Sequence, residues 1–173
     1  MTLDLAAFPS PIGKIMLTTR DGALCSLEFR ERWPHPHAVL TQRFGALEFR
    51  PRDPADVCGQ LAAYFAGDLH ALDAIPLDAG GTPFQRRVWD ALREIPPGET
   101  ISYLTLARRI GDPTAARAVG AANGANPIAI VVPCHRVIAS DGRLSGYAGG
   151  VHRKRWLLAH ERAGTGAQKG LLL

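Results

Sequence analysis

Residues 130–139 read Ile-Val-Val-Pro-Cys-His-Arg-Val-Ile-Ala, so a thiol, an imidazole and a guanidinium stand side by side between two apolar runs. An unperturbed thiol has a pKa of about 8.5 and is only a few per cent thiolate at neutral pH. A neighbouring base or positive dipole raises that fraction and makes the sulfur a nucleophile. Polar groups in a buried run need partners, so Cys134, His135 and Arg136 point to chemistry or to an internal ion pair. On a regular strand successive side chains face opposite sides, which would part Cys134 from His135. Pro133 lacks an amide donor and resists a central strand. The strand "AIVV" is therefore expected to end there, with Cys134 and His135 on a turn or the first turn of a helix. In that place main-chain amides favour a thiolate, and His135 reaches it directly or through one water. An imidazole base needs an orienting acceptor. Glu161, in the last helical segment, is the acid for that role, with Arg136 read as an ion-pair residue and His160 as packing.

The elements that must position these groups are legible from periodicity and punctuation. Asp21-Gly22 joins two alternating runs, Ile15/Leu17 and Cys25/Leu27/Phe29, into a β-hairpin over 13–29, which makes Cys25 a core thiol. "WPHPH" (33–37), with His35 and His37, reads as a proline-rich surface loop. Residues 53–67 read as a helix capped by Asp53, with Pro54 at its first position and Gly67 as a left-handed stop. Its inner face is Val57, Leu61 and Tyr64/Phe65, and Cys58 within it is structural. Gly80-Gly81 marks a boundary. Thr82-Pro83 then opens a helix with Phe84, Val88, Leu92 and Ile95 on its apolar stripe, ended by Pro96-Pro97-Gly98. Ser102 caps the next helix, with Leu106, Ala107 and Ile110 inward and Gly111 as its stop, and Asp112-Pro113 restarts into "TAARAVGAAN". Two short helices around a Gly-containing turn form a helix-turn-helix pattern, found also in bundles that never touch DNA. "ASDGRLSGYAGG" (139–150) reads as a loop or wing, and 152–163 as a last helix turning Trp156, Leu157 and Ala159/His160 inward. The expected fold class is α+β, with an N-terminal α/β domain over 1–80, a mostly helical domain over 82–165 and a flexible tail over 166–173.

Composition narrows the function classes. Hydrophobic residues make up 46% and charged residues 21% of the 173, as in soluble globular proteins. No apolar run approaches the roughly 20 residues that span a bilayer, and "MTLDLAAFPSPIGK" does not resemble a secretory signal. A cytoplasmic protein without a membrane partner is expected. Three widely spaced cysteines, Cys25, Cys58 and Cys134, make neither a disulfide framework nor a zinc pattern, so no metal and no cofactor are expected. Residues 1–81 hold seven basic and ten acidic residues, and residues 82–173 hold thirteen and six. A basic second half suggests a polyanion surface there, or a solvated basic face.

"NPIAIVVPCHRVI", "GYAGG" and "KRWLLAHE" together resemble the O6-alkylguanine-DNA alkyltransferases, closely over residues 82–162 and more weakly before them, where "SPIG" and "AYFAG" are similar. The resemblance implies a ribonuclease-H-like first domain and a winged helix-turn-helix in the second. It also implies direct repair of duplex DNA. One methyl or other alkyl group passes irreversibly from O6 of guanine, or O4 of thymine, to Cys134, once per chain. His135 deprotonates Cys134 through a water, Glu161 orients His135, and Asn126 ties the helix-turn-helix to the active-site strand. On spacing alone, Asn126 before Pro127 reads as a turn asparagine. Tyr103 helps rotate the nucleotide and protonates N3 of the leaving guanine, though unaided it reads as a core aromatic. Arg117 fills the space left by the flipped base, where its plainer reading is a phosphate-contacting arginine. Val137 and the loop Ser145–Gly149 line the guanine pocket, Tyr147 packs on the base and Ser140 lies near a phosphate. Ala148 and Gly149 offer backbone amides to O6, and Ala148 stands where the family often has serine.

The target carbon lies in the base stack, so the nucleotide must be extruded at a cost of a few kcal/mol. The segment "TAARAVGAAN" has six alanines or glycines in ten residues. Such a helix has little with which to read bases but is slim, which suits a minor groove about 6 Å wide; helix propensity explains the alanines equally well. The expected partner is O6-alkylguanine duplex DNA with little sequence preference, bound by a monomer acting singly or cooperatively. A cysteine hydrolase built on Cys134, His135 and Glu161, a non-enzymatic binder of alkylated DNA and a winged-helix regulator are the alternatives.

Overall fold

The computed structural model describes residues 1–166, so the tail expected over 166–173 lies, Gly166 apart, outside the described residues. The chain forms two compact units: Met1–Gly80 with Pro127–Val131, and Gly81–Asn126 with the residues from Val132 onward. Residues 127–131 are thus grouped with the first unit. The reason lies at an open sheet edge. Strand β3 (Ala23–Phe29) leaves backbone groups unpaired along one side, and buried ones must find partners. Leu27 donates to Pro127 O (3.0 Å) and accepts from Ala129 N–H (3.0 Å), while Leu24 pairs in the same way with Pro76 and Asp78 (2.8 Å each).

The first unit is a mixed sheet. Strands β1 (Thr2–Ser10), β2 (Gly13–Arg20), β3 and β4 (Glu48–Pro51) lie in the order β3-β2-β1-β4, with β1 and β4 parallel. The expected hairpin is present, and Asp21 (φ 51°) and Gly22 (φ 81°) make the turn that its twist requires. Leu3 and Phe8, of opposite parity on β1, meet different helices. Leu3 packs with Cys25 and with Leu40 of α1 (Pro34–Phe44), whereas Phe8 stacks on Phe65 of α2 (Val57–Phe65) at 5.9 Å.

Two expectations are corrected here. The "WPHPH" segment is no loop: Pro34 and Pro36 fall in the first turn of α1, where a missing amide breaks nothing. Helix α2 begins four residues after Asp53. Asp56, in a left-handed conformation, accepts from Gly59 N–H, and Asp53 accepts from Val57 and Cys58 N–H at 2.9 and 2.7 Å. The two carboxylates share the orphan amides that one cap was expected to serve.

The second unit is mostly helical. Helix α3 (Pro83–Arg93) opens with a reciprocal capping box between Thr82 and Gln85, and buries Val88, Trp89 and Leu92. Gly81, at φ 82°, leaves room for the Trp89 ring, which a Cβ there would meet at 2.5 Å. Strand β5 (Ile101–Ser102) leads into α4 (Tyr103–Arg109), which Ser102 caps by accepting from Thr105 N–H. Helix α5 (Ala116–Gly124) follows after a turn at 110–115. Trp89 Nε1 donates to Ala122 O (2.8 Å), pinning α3 to α5. Strand β6 (Val137–Ile138) pairs in parallel with β5, and α6 (Val151–Gly164) closes the unit.

Candidate active site

The run expected as strand "AIVV" is a series of buried turns after the single bridge at Ile128. Ile130 sits at φ 70°, unusual for a β-branched residue. Val131 N–H bonds Ala129 O and Cys134 N–H bonds Val132 O, both at 2.8 Å, so the backbone doubles back every two residues. Pro133 then precedes a single 3-10 turn, Cys134–Arg136: Cys134 and His135 stand on a turn as expected, although no strand ends at the proline. That turn runs directly into β6, and β6 pairs with β5 immediately before Tyr103. The short ladder fixes the cysteine turn against the start of α4.

All three polar residues of the turn are inside: Cys134 and Arg136 are 7% exposed and His135 is 0%. Their partner is Glu161 on α6, also 0% exposed. Its carboxylate accepts from His135 Nε2 at 3.0 and 3.1 Å, and from Arg136 Nε (2.8 Å) and Nη2 (2.7 Å) in a two-pronged pair. Arg136 Nη1 donates to Ile95 O at 2.6 Å. Burial alone would raise the Glu161 pKa, but His135 and Arg136 outweigh it and hold the carboxyl well below its usual range. Burial pushes His135 the other way, below 6.5, against the pull of Glu161. Glu161 is therefore ionised and balanced by Arg136, while His135 is a neutral imidazole. Because Nε2 carries the proton given to Glu161, Nδ1 keeps a lone pair, and that atom is buried without a hydrogen bond to the described residues. A neutral imidazole with one nitrogen anchored and the other basic is equipped to take a proton.

The remaining sequence-derived residues occupy different settings. Tyr103, half-buried at the start of α4, lies beside Gly120 of α5, and Ser145 Oγ approaches its hydroxyl at 3.4 Å. Arg117, the second residue of α5, is exposed, on a helix whose inner side carries Val119, Ala122 and Asn123. Asn126 Nδ2 donates to Val132 O (2.8 Å), one turn before the cysteine. Val137 and Gly149 are buried, Tyr147 is half-buried, and Ser140 and Ala148 are exposed. Two groups escaped the sequence reading. Asn123 Nδ2 lies 3.5 Å from Cys134 O. Lys154 on α6 is 0% exposed, and its ammonium donates to Val137 O (2.6 Å) and Ser145 O (2.9 Å). Burial lowers its pKa from 10.5 to about 8, opposed by Cys134. The signal was present. Lys154, Leu157, Leu158 and Glu161 recur at helical spacing, and with Arg153 they form the buried face, whereas Ala159, expected inward, is exposed. His160 stacks on Trp156 at 4.9 Å.

Among the described residues no cluster of three or more His, Cys, Asp or Glu is arranged to hold a metal, and no helix is long and apolar enough to cross a membrane.

Residues 83–163 match the family model described as 6-O-methylguanine DNA methyltransferase, DNA binding domain. The methylated-DNA–protein-cysteine methyltransferase of Salmonella typhimurium is 62% identical over 134 residues, 78% of each chain. The protein of the same name from Mycolicibacterium paratuberculosis is 54% identical over 153 residues, 88% of each chain. The crystal structure of Mycobacterium tuberculosis O6-methylguanine methyltransferase is 43% identical with a TM-score of 0.79, covering 98% of this chain and 97% of that one. The Mycobacterium tuberculosis protein crystallised in complex with DNA is 44% identical, again with a TM-score of 0.79 and 98% coverage of both chains. The buried cysteine turn, its anchored imidazole and these likenesses converge, and the chain belongs to the methylated-DNA–protein-cysteine methyltransferase family.

Proposed function

We propose that the protein repairs DNA by taking a methyl or other alkyl group from O6 of guanine, or from O4 of thymine, onto Cys134, once per chain and irreversibly. The reading rests above all on one arrangement: a cysteine beside a neutral buried imidazole whose Nε2 is fixed by an ionised Glu161 and whose Nδ1 is unoccupied by protein. In the proposed reaction the Cys134 proton passes through a water to His135 Nδ1, and Glu161 stabilises the imidazolium that forms. The thiolate then attacks the alkyl carbon, forming a C–S bond as the C–O6 bond breaks. The released electron pair stays on the guanine, and the Tyr103 hydroxyl supplies a proton at N3. Amides of Ala148 and Gly149 stabilise developing charge on O6. Val137, Ser145 and Tyr147 line the base, Ser140 lies near a phosphate, and Asn126 holds the turn before the cysteine through Val132.

The reagent must meet an everted base. Helices α4 and α5 serve as the helix-turn-helix, loop 139–150 as its wing, and the first unit is read as ribonuclease-H-like. The exposed position of Arg117 on the small-residue helix α5 supports its insertion from the minor groove. The proposed partner is duplex DNA carrying O6-alkylguanine, bound by a monomer in the cytoplasm with little sequence preference. Mixing the protein with methylated-guanine duplex and weighing it tests the reading. One methyl per chain on Cys134 is expected. Unchanged protein mass, or turnover as in a hydrolase, would overturn it.

A further inference from the structure

We propose that Lys154 is the counter-ion of the Cys134 thiolate, and a positioning residue that holds the pocket loop through its backbone. The inference rests on the repair reading only for its use; its physical basis is independent. A wholly buried ammonium is costly unless an opposite charge offsets it. The hydrogen-bond partners of Lys154 are two neutral carbonyls, Val137 O and Ser145 O. No carboxylate of the described residues forms an ion pair with it. The buried acid on its own helix, Glu161, is already matched by Arg136 and bonded to His135. The buried titratable and charged groups of the elements around it are Cys134, His135 and Arg136 on the cysteine turn, and Arg153 and Glu161 on α6, whose His152, Arg155, His160 and Arg162 are not buried. The carbonyl that takes the ammonium at 2.6 Å belongs to Val137, the residue that directly follows the turn Cys134–Arg136, so the ammonium stands beside that turn. With Glu161 already matched, Cys134 is the one of these groups left that can become an anion. Lys154 in turn disfavours a charged His135, so it favours the anion and keeps the base neutral beside it.

This assigns the source of positive charge. From the sequence, main-chain amides of a helix start were to favour the thiolate. The turn has only three residues, and the Cys134 amide is spent on Val132 O. The ammonium fills that role, and its two bonds tie β6 to the loop carrying Ser145 and Tyr147.

The test uses the whole protein without DNA. The rate of Cys134 alkylation by iodoacetamide is followed against pH by peptide mass analysis, in the wild type and in Lys154→Gln, which keeps two donors and loses the charge. The midpoint should move up by about one unit and the rate at neutral pH fall about tenfold. An unmoved midpoint in a folded variant overturns the proposal. The reciprocal experiment uses Cys134→Ser, a near-isosteric change that does not depend on the glutamine variant folding. The chain has three lysines, so lysine-labelled NMR resolves Lys154. Its titration should fall below the wild-type value, and an unchanged titration overturns the proposal. Methyl transfer from DNA is scored separately. A shifted thiol without transfer sinks the repair reading and leaves the ion pair standing, and transfer with an unshifted thiol does the reverse.

Discussion

Each unit encloses a cysteine beside a charge, and the sign of that charge separates them. In the first unit Cys25 is 2% exposed, with Asp78 Oδ2 3.8 Å from its sulfur. Burial and then Asp78 push its pKa up to about 11, outweighing the opposite pull of Arg43 and Arg20, which are themselves paired with Asp78. Cys58 on α2 is pushed up to about 12 by burial and by Asp53. In the second unit the charge assigned to Cys134 is the ammonium of Lys154, bonded to the carbonyl just after the cysteine turn, and the next residue is a neutral imidazole. Burial alone makes a thiol inert. What distinguishes Cys134 is that α6 brings Lys154 and Glu161 to the same turn, the lysine toward the pocket backbone and the acid toward His135. The lesson concerns neighbours rather than residue type.

The widest contrast is between the cysteines themselves. Cys134→Ser should reduce methyl transfer from O6-methylguanine duplex to background by protein mass, whereas Cys25→Ala and Cys58→Ala should transfer one methyl per chain as before. Loss of transfer in either of the latter, with the fold intact by circular dichroism, breaks the comparison. Next come the groups that prepare the sulfur. His135→Gln and Glu161→Gln should slow single-turnover transfer by about 10²–10⁴-fold, the range for a lost general base. Glu161→Gln should also cost about 3–5 kcal/mol in urea unfolding, since it leaves Arg136 charged and unpaired inside. A smaller effect is expected at the DNA surface. Arg117→Ala should weaken transfer roughly tenfold or more on duplex, because extrusion costs a few kcal/mol, and much less on single strands. Equal losses on both substrates would contradict insertion into the stack.

The parts of this contrast that local chemistry dictates were legible. Asp21-Gly22, the helix start at Thr82-Pro83, the Ser102 cap and the turn at Cys134-His135 each act within a few residues of chain, and each appears where the sequence puts it. The approach of Glu161 to His135, 26 residues apart, came from the resemblance and from the need of an imidazole for an acceptor. What stayed hidden depends on distant partners. Residues 128–132 have strand propensity, but their backbone bonds go to β3 for one residue and then to themselves. Lysine is read as surface by default, so Lys154 was passed over although its spacing to Leu157, Leu158 and Glu161 marks it as inward. Strand β1, whose run Leu3–Phe8 alternates poorly, needed its neighbours on both sides to be recognised.

The smallest expected effect concerns pH, and it sharpens the contrast between the thiols without using DNA. The folded pKa of Cys25, about 11, lies above its reference value of 9.0. A group raised in this way contributes stability that is complete below the unfolded pKa and is lost as pH rises through the folded one. The wild type should therefore lose, between about pH 9 and 11, on the order of 1–2 kcal/mol that Cys25→Ala does not lose. Lys154 works against this trend. Its folded pKa, about 8, lies below 10.5, so the folded state sheds a proton that the unfolded chain still holds and stability gains as pH rises between the two. The two trends overlap, and a single alkaline melt cannot separate them. Subtracting the Cys25→Ala curve from the wild type isolates the first, because Lys154 contributes equally to both proteins. If the two curves run parallel from pH 8 to 11 (roughly the window set by these groups), Cys25 is not held neutral by its surroundings. The distinction between an insulated thiol and an activated one would then need another cause.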